Sequence, residues 1–426
     1  MSPVSRGPRR QFDAVIVGAG PAGSTAAILL ARAGLAVALV ERHAFPRRKV
    51  CGGCVAASNL PLLATLGVAE AFEAGAGPQL RHVSLHQGSR AVSAPLPAAA
   101  HPHYRWGRAL GRETLDALLL ERARAAGAWI FQPWSVQAIL GTTGAWHCEL
   151  RAAGPAALLR LRTPVVIDAH GGWEGLPSEG LRPRRPAPPR AAGDLFAFNA
   201  QFSGSALHPG TIGVLALEGG YGGMVVADGG LTTVACCIRR DRLGALRSAA
   251  PGLSAGDAVQ AWLQRECLGV REALQGARRA GAWLGAGPLV PGVHLAAGDT
   301  WLRIGQAAGE AHPILGEGMS MALQSAALLC SHLLAQQPAA PAELQRQYAA
   351  DWQRQFRPRL RLAAAFAHAA MRPRGTALLM ALAGRWPGLL TQGARWGGKV
   401  QAPAFAPADP APLPIDRRGA PRKETP

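Results

Sequence analysis

Apolar positions fall into distinct rhythms along the chain. Phe12-Asp-Ala-Val-Ile-Val17 is a short apolar run. After a Gly-rich turn come small and aliphatic residues at 22–33, and then a second run, Ala36-Val-Ala-Leu-Val-Glu41. Short apolar runs bounded by glycine predict buried strands, and the segment between them predicts a helix, so residues 12–41 read as a strand–helix–strand unit of parallel type. Leu115, Leu118, Leu119 and Leu120 recur near one face of an amphipathic helix over 112–126. Strand-like pieces follow at 129–139, 146–151 and 158–168. Beyond a Pro/Arg-rich stretch, Pro177 to Gly193, runs at 195–202, 212–217, 222–227 and 231–238 are joined by Gly-rich turns. Four strands this close together predict an antiparallel sheet, which a helix at 254–275 would cover. The apolar residues 302–304 lead into a second Gly-rich loop and a helix at 318–336. Helical spacing continues over 341–370, kinked at Pro358, and over 374–398.

These elements predict an α/β chain with a discontinuous nucleotide-binding domain, 12–176 plus 291–338. An inserted antiparallel substrate domain spans 177–290, and a C-terminal helical region spans 339–400. Residues 1–11 and the tail 401–426, which holds seven Pro, predict disorder. There is no internal repeat.

Composition narrows the picture. Of 426 residues, 49% are hydrophobic and 17% charged, enough apolar material for a substantial core. No uncharged apolar run approaches the roughly 18–20 residues that a membrane span needs. The net charge of +19 raises the question of nucleic acid, but the Arg residues are scattered and lack interleaved aromatics, so no nucleic-acid partner is expected. Attraction to anionic cofactors, acyl carriers or a membrane surface fits better. Seven Cys make no disulfide framework, and Cys236 and Cys237 read as core. Arg9-Arg10-Gln11-Phe12 faintly resembles a twin-arginine signal, but cleavage behind it would destroy the glycine loop. The expected compartment is the cytoplasm, with peripheral contact to the inner face of the membrane left open. The oligomeric state is not legible.

The glycine loop carries the first chemistry. Gly18-Ala-Gly20-Pro21-Ala22-Gly23 lies between strand and helix. Gly18 permits the turn, Gly20 lets a pyrophosphate approach the backbone, and Gly23 allows close packing of helix on strand. The positive helix N-terminus faces the phosphates. Glu41 ends the second strand, where its carboxylate can accept from ribose hydroxyls, with Arg42 beside it. A carboxylate there would repel a 2′-phosphate, which implies FAD or NAD.

Downstream, Gly305-Gln306-Ala-Ala-Gly-Glu-Ala-His312-Pro313-Ile-Leu-Gly316-Glu-Gly318-Met319 resembles the second flavin fingerprint, G-D-x(6)-P-x-x-G-x-G. That motif marks the group A flavin monooxygenases and the geranylgeranyl reductases. Arg112 resembles the arginine that those families place near the flavin. Asp168-Ala-His-Gly171 is similar to their middle motif, and Lys49-Val-Cys51-Gly-Gly resembles the cysteine segment of the reductases. The matches run in family order from residue 12 to about 336. The resemblance implies a glutathione-reductase-like FAD-binding fold. It also implies FAD held by both loops, through Gln306, Pro313, Gly316, Gly318 and Met319 in the second, with NAD(P)H as a transient reductant. The family Asp falls on Gln306, which can bond a hydroxyl but carries no charge. Gly298-Asp299 lies too far from Pro313 to take its place.

The resemblance places Cys51 in the flavin pocket. Its Cys51-Gly-Gly-Cys54 spacing also admits disulfide chemistry or passive packing, whereas zinc lacks a second ligand pair. His312 reads either as a general acid facing the ring or as a loop-stabilising residue. His101-Pro-His103 has no third metal ligand near in sequence. Trp106, Trp283 and Trp301 could line an aromatic or isoprenoid pocket. The tandem-tryptophan motif of flavin-dependent halogenases is absent. The expected activity is FAD-dependent oxidation–reduction of a small hydrophobic molecule, with hydroxylation or epoxidation by O2 as the alternative.

Overall fold

The structure, a computed structural model, describes residues 10–154, 157–172, 191–295, 301–335 and 340–398. The Pro/Arg-rich stretch up to Arg190, the Gly298-Asp299 pair, and nearly all of the N-terminal and C-terminal segments expected to be disordered lie outside the described residues.

Strand β1 (Ala14–Val17), helix α1 (Pro21–Arg32) and strand β2 (Val37–Val40) form the expected unit. They anchor a five-stranded sheet in the order Leu302–Arg303, Val165–Asp168, β1, β2, Trp129–Phe131, and every pairing is parallel. Parallel strands buried on both faces need near-continuous apolar sequence, and β1 and β2 are buried at every position. One face of the sheet is covered by α1, by α2 (Arg112–Ala125) and by α3 (Gly318–Leu333), whose aliphatic residues build the largest core. The other face packs on a three-stranded antiparallel sheet, 134–163, around Trp146, Trp301 and Leu161.

The second large sheet has eight strands. Leu195–Ser203, Thr232–Arg239, Gly220–Val226 and Thr211–Leu217 run antiparallel in that order, within two residues of the bounds that the pattern predicts. The sheet then takes His82–Gln87 and Arg90–Pro95 from the segment assigned by pattern to the nucleotide-binding domain. The helical stretch at 254–275 is two helices, Ala255–Glu266 and Leu268–Ala273, broken at Cys267, whose backbone is extended. Helix α4 (Pro341–Ala370) accommodates Pro358 in a single run. The last helical stretch divides into α5 (Pro373–Arg385) and α6 (Gly388–Trp396). Pro387 follows Trp386 there, and a residue before proline is pushed out of the helical region.

Candidate active site

The first loop is built around backbone contact. Gly18 has φ +104°, and a Cβ there would lie 2.5 Å from the Ala169 carbonyl oxygen. A Cβ on Gly23 would lie 1.8 Å from the Gly18 carbonyl oxygen. Neither position tolerates a side chain without the backbone moving. Helix α1 starts at Gly20 with no side-chain cap, so its first N–H groups stay available to a ligand. A Cβ on Gly20 would meet only Arg112 Nη2, at 3.5 Å.

Cations converge beside this helix start. Arg112 opens α2 and donates from Nε and Nη2 to both oxygens of Asp116, each at 2.7 Å. Asp116 is fully buried and also accepts from Arg47 Nη1 at 3.0 Å. Burial disfavours the charged form of Arg112, but the Asp116 carboxylate outweighs it and holds the guanidinium firmly charged. Lys49 stands close by. Burial, with Arg112 and Arg47 near, lowers its pKa to about 8. Glu41 accepts from the Ala19 N–H and from the His43 N–H, both at 3.0 Å. Burial raises its pKa, but Arg47 and those N–H donors outweigh it, so Glu41 stays ionised. Two arginines held by two carboxylates, with Lys49 beside them, at a helix N-terminus suit a dianionic pyrophosphate. Asp228, in a turn between two strands of the eight-stranded sheet, accepts from the N–H of Gly111, the residue before α2, at 2.9 Å.

The second loop closes on the first. A Cβ on Gly305 would stand 3.0 Å from the Ala22 Cβ, and the Gly305 N–H donates to Ser325 Oγ of α3 at 2.8 Å. Gln306 donates from Nε2 to the buried Glu310 at 3.2 Å, and its Oε1 lies near Gly171. A carboxylate is therefore present four residues after the uncharged Gln306. Burial raises the pKa of Glu310 despite the Val290 N–H that it accepts at 3.0 Å. Helix α3 begins without a side-chain cap of its own. Its N-terminus is braced by Arg359 of α4, 3.6 Å from the buried Glu317 and 2.8 Å from Gln324 Oε1.

One cavity of about 750 Å³ joins the two loops. Pro21, Ala22, Arg42, Cys51, Arg112, Gln306, Pro313, Gly316, Gly318 and Met319 all border it. Its other walls are apolar, formed by Leu85, Trp106, Ile212, Met224, Leu382 and Leu390 among others. Cys51 and Cys54 are not joined in a disulfide, and Asn199 Nδ2 donates to the Cys51 carbonyl at 3.1 Å. His312 stands behind the wall. Its Nδ1 is 3.2 Å from the hydroxyl of Tyr221, and Tyr221 is the residue that borders the cavity. Burial, and then His368 at 5.5 Å ring to ring, lowers the His312 pKa to about 4, so it is neutral near pH 7. Burial, and then Cys237, raises the Tyr221 pKa, which keeps its hydroxyl protonated. Of the three expected tryptophans only Trp106 reaches the cavity, because Trp283 and Trp301 pack in cores. His101 serves its own loop, accepting from the His103 and Tyr104 N–H groups at 3.2 and 3.1 Å.

The sequence reading missed Asp116, Arg47 and Tyr221. Asp116 had a usable signal, since it follows Arg112 by four residues on one helix face. Tyr221 had none, because its place depends on sheet pairing.

Residues 11–175 match the FAD binding domain family. A stretch of 122 residues is 37% identical to the menaquinone reductase of Mycobacterium tuberculosis, covering 27% of this chain and 28% of that protein. The chain thus matches little more than a quarter of that relative's length. The structure resembles the myxobacterial chondrochloren halogenase, with TM-score 0.72 and 18% identity over 91% of each chain. It also resembles a geranylgeranyl bacteriochlorophyll reductase-like protein from Thermoplasma acidophilum, with TM-score 0.68 and 16% identity over 91% of this chain and 99% of that one. The glycine cradle, the uncapped helix starts and the cation cluster all fit FAD, and the protein is an FAD-binding flavoprotein. The family match covers residues 11–175, and the fold is the one seen in the chondrochloren halogenase and in the geranylgeranyl bacteriochlorophyll reductase-like protein.

Proposed function

We propose that the protein uses NAD(P)H to reduce a carbon–carbon double bond in a long apolar molecule of isoprenoid type. The balance is alkene plus NAD(P)H plus a proton, giving the saturated product and NAD(P)+. FAD, when bound, would supply the two-electron chemistry between nicotinamide and substrate. The observation that carries this reading is the single cavity that runs from the dinucleotide cradle into apolar walls. The sequence likeness to a menaquinone reductase over 122 residues supports it.

The chain's own residues do the rest. Gly20, Gly23 and the start of α1 would seat the pyrophosphate, with Arg112, Lys49 and Arg47 balancing its charge. Glu41 would take the adenosine ribose, and Gln306, hydrogen-bonded to Glu310, would take the ribityl chain. Cys51 walls the pocket. Tyr221 holds a proton at its hydroxyl in the cavity wall and gives it to the substrate carbon, with His312 as its neutral hydrogen-bond partner. The apolar walls exclude water.

Oxygen-dependent chemistry is the second reading, favoured by the likeness to the chondrochloren halogenase. Anaerobic turnover of the FAD-loaded protein with NADPH and an isoprenoid quinone separates the two. Reduction of the double bond in a sealed, oxygen-free cell yields a product that is still heavier by two hydrogens after its ring has been re-oxidised to the quinone. If product forms only after oxygen is admitted, and carries an added oxygen or halogen atom, the reductase reading is wrong.

A further inference from the structure

Five of the eleven large apolar side chains that stand exposed among the described residues lie within 19 positions: Leu378, Leu382, Trp386, Leu389 and Trp396. Leu378 and Leu382 share one face of α5, Trp386 follows directly, and Leu389 and Trp396 share one face of α6. Trp386 is 54% exposed and Trp396 is 65% exposed. The opposite faces of the two helices, with Thr376, Met380, Ala383 and Gly393, are buried, so both helices lie flat on the body of the protein.

Charge along this segment of the chain has one sign. From Trp352 to Gly398 the chain has eight Arg and no Asp or Glu. Arg372, Arg374, Arg385 and Arg395 are exposed around the patch, and Arg385 lies over the Trp386 ring at 5.5 Å. The patch is continuous with the cavity, because Leu382, Leu389 and Trp396 are both exposed and part of its wall.

We propose that α5 and α6 dock on a bilayer surface rich in anionic lipid, setting the cavity mouth against the membrane. A helix pair with Arg at the rim and Leu and Trp at its outer face suits the boundary between headgroups and acyl chains. A second copy of the chain would bring like charge onto like charge. An acidic protein partner would satisfy the arginines but leave the outward Leu and Trp without apolar contact. No described helix is long and apolar enough to cross a membrane, so contact is at the surface. That an apolar substrate enters from the bilayer rests on the reading under Proposed function, whereas the docking itself does not.

The test is flotation of the full-length, FAD-loaded protein with phosphatidylcholine vesicles and with vesicles containing phosphatidylglycerol. The protein is expected to float with the anionic vesicles and to stay behind with the neutral ones, and added salt weakens the binding. Two variants are compared, L378E/W386E and R374Q/R385Q/R395Q. Each is expected to lower the bound fraction at least tenfold, with flavin content and melting temperature unchanged. The proposal is overturned if the wild-type protein does not float, if both variants float as it does, or if it binds an acidic carrier protein and not the vesicles. Vesicle binding without reductive turnover would leave the docking standing and remove the assigned reaction.

Discussion

The two ends of the cavity are made differently. The cofactor end is set by backbone contact and buried charge, with Gly18 and Gly23 pressed against carbonyl oxygens and Arg112 locked on Asp116. The substrate end is a lining of apolar side chains from the eight-stranded sheet and from α5 and α6, with Tyr221 among its few polar groups. Geometry at the first end leaves little room for change, because a hydrogen-bonded carboxylate or a carbonyl contact has one workable arrangement. An apolar wall accepts many side chains of similar volume. One nucleotide cradle can therefore serve different substrates, and substrate identity has to be sought at the second end.

The sharpest way to break this contrast is Gly23→Ala. Its Cβ would meet a carbonyl oxygen that cannot move without the loop, at a cost of about 1–3 kcal/mol of overpacking. The purified protein is expected to come off the column colourless, whereas Leu390→Met at the far wall keeps its flavin. Next is Arg112→Ala, which leaves the buried Asp116 with Arg47 alone. Removing one partner of a buried pair costs about 3–5 kcal/mol, and the lower figure applies because Arg47 remains. Denaturant melts of the apoprotein check it, and Arg112→Ala/Asp116→Asn is expected to recover part of the loss.

Tyr221→Phe tests the substrate end. Turnover is expected to fall about 100-fold if the hydroxyl gives the proton, with FAD content unchanged. Equal anaerobic rates for the variant and the wild type would remove Tyr221 from the reaction. The smallest effect is expected from pH. Lys49 has a pKa of about 8 in the folded apoprotein, below its ordinary value of 10.5. The unfolded chain then binds more protons between those values, so Lys49 makes the apoprotein more stable as pH rises from about 8 to 10.5. Bound pyrophosphate favours the charged amine, so FAD affinity is expected to weaken as pH climbs through about 8. Titrations of FAD binding at several pH values should show the slope, and Lys49→Met should flatten it.

How much of this was legible in sequence follows the same division. The strand–helix–strand unit, both glycine loops, Glu41 and Arg112 rest on local spacing; Pro21, Ala22, Arg42, Arg112 and the second loop border the cavity, whereas Gly18, Gly20, Gly23 and Glu41 do not line it. The antiparallel strands from Leu195 to Arg239 were readable from alternation and Gly-rich turns. The addition of His82–Gln87 and Arg90–Pro95 was not, because a parallel pairing to Thr211–Leu217 joins segments more than a hundred residues apart. Tyr221 and His312 meet across 91 positions, which no periodicity reports. Helix ends were misjudged where one residue decides, at Cys267 and at the Trp386-Pro387 step.

Hydride transfer to an apolar alkene needs no oxygen. The direct measurement mixes anaerobically reduced, FAD-loaded protein with an isoprenoid quinone and follows both the flavin absorbance and the mass of the product after its ring is re-oxidised. Return of the yellow colour in step with a saturated product is the predicted result. Flavin that stays bleached until oxygen enters, followed by an oxygenated or halogenated product, would contradict it.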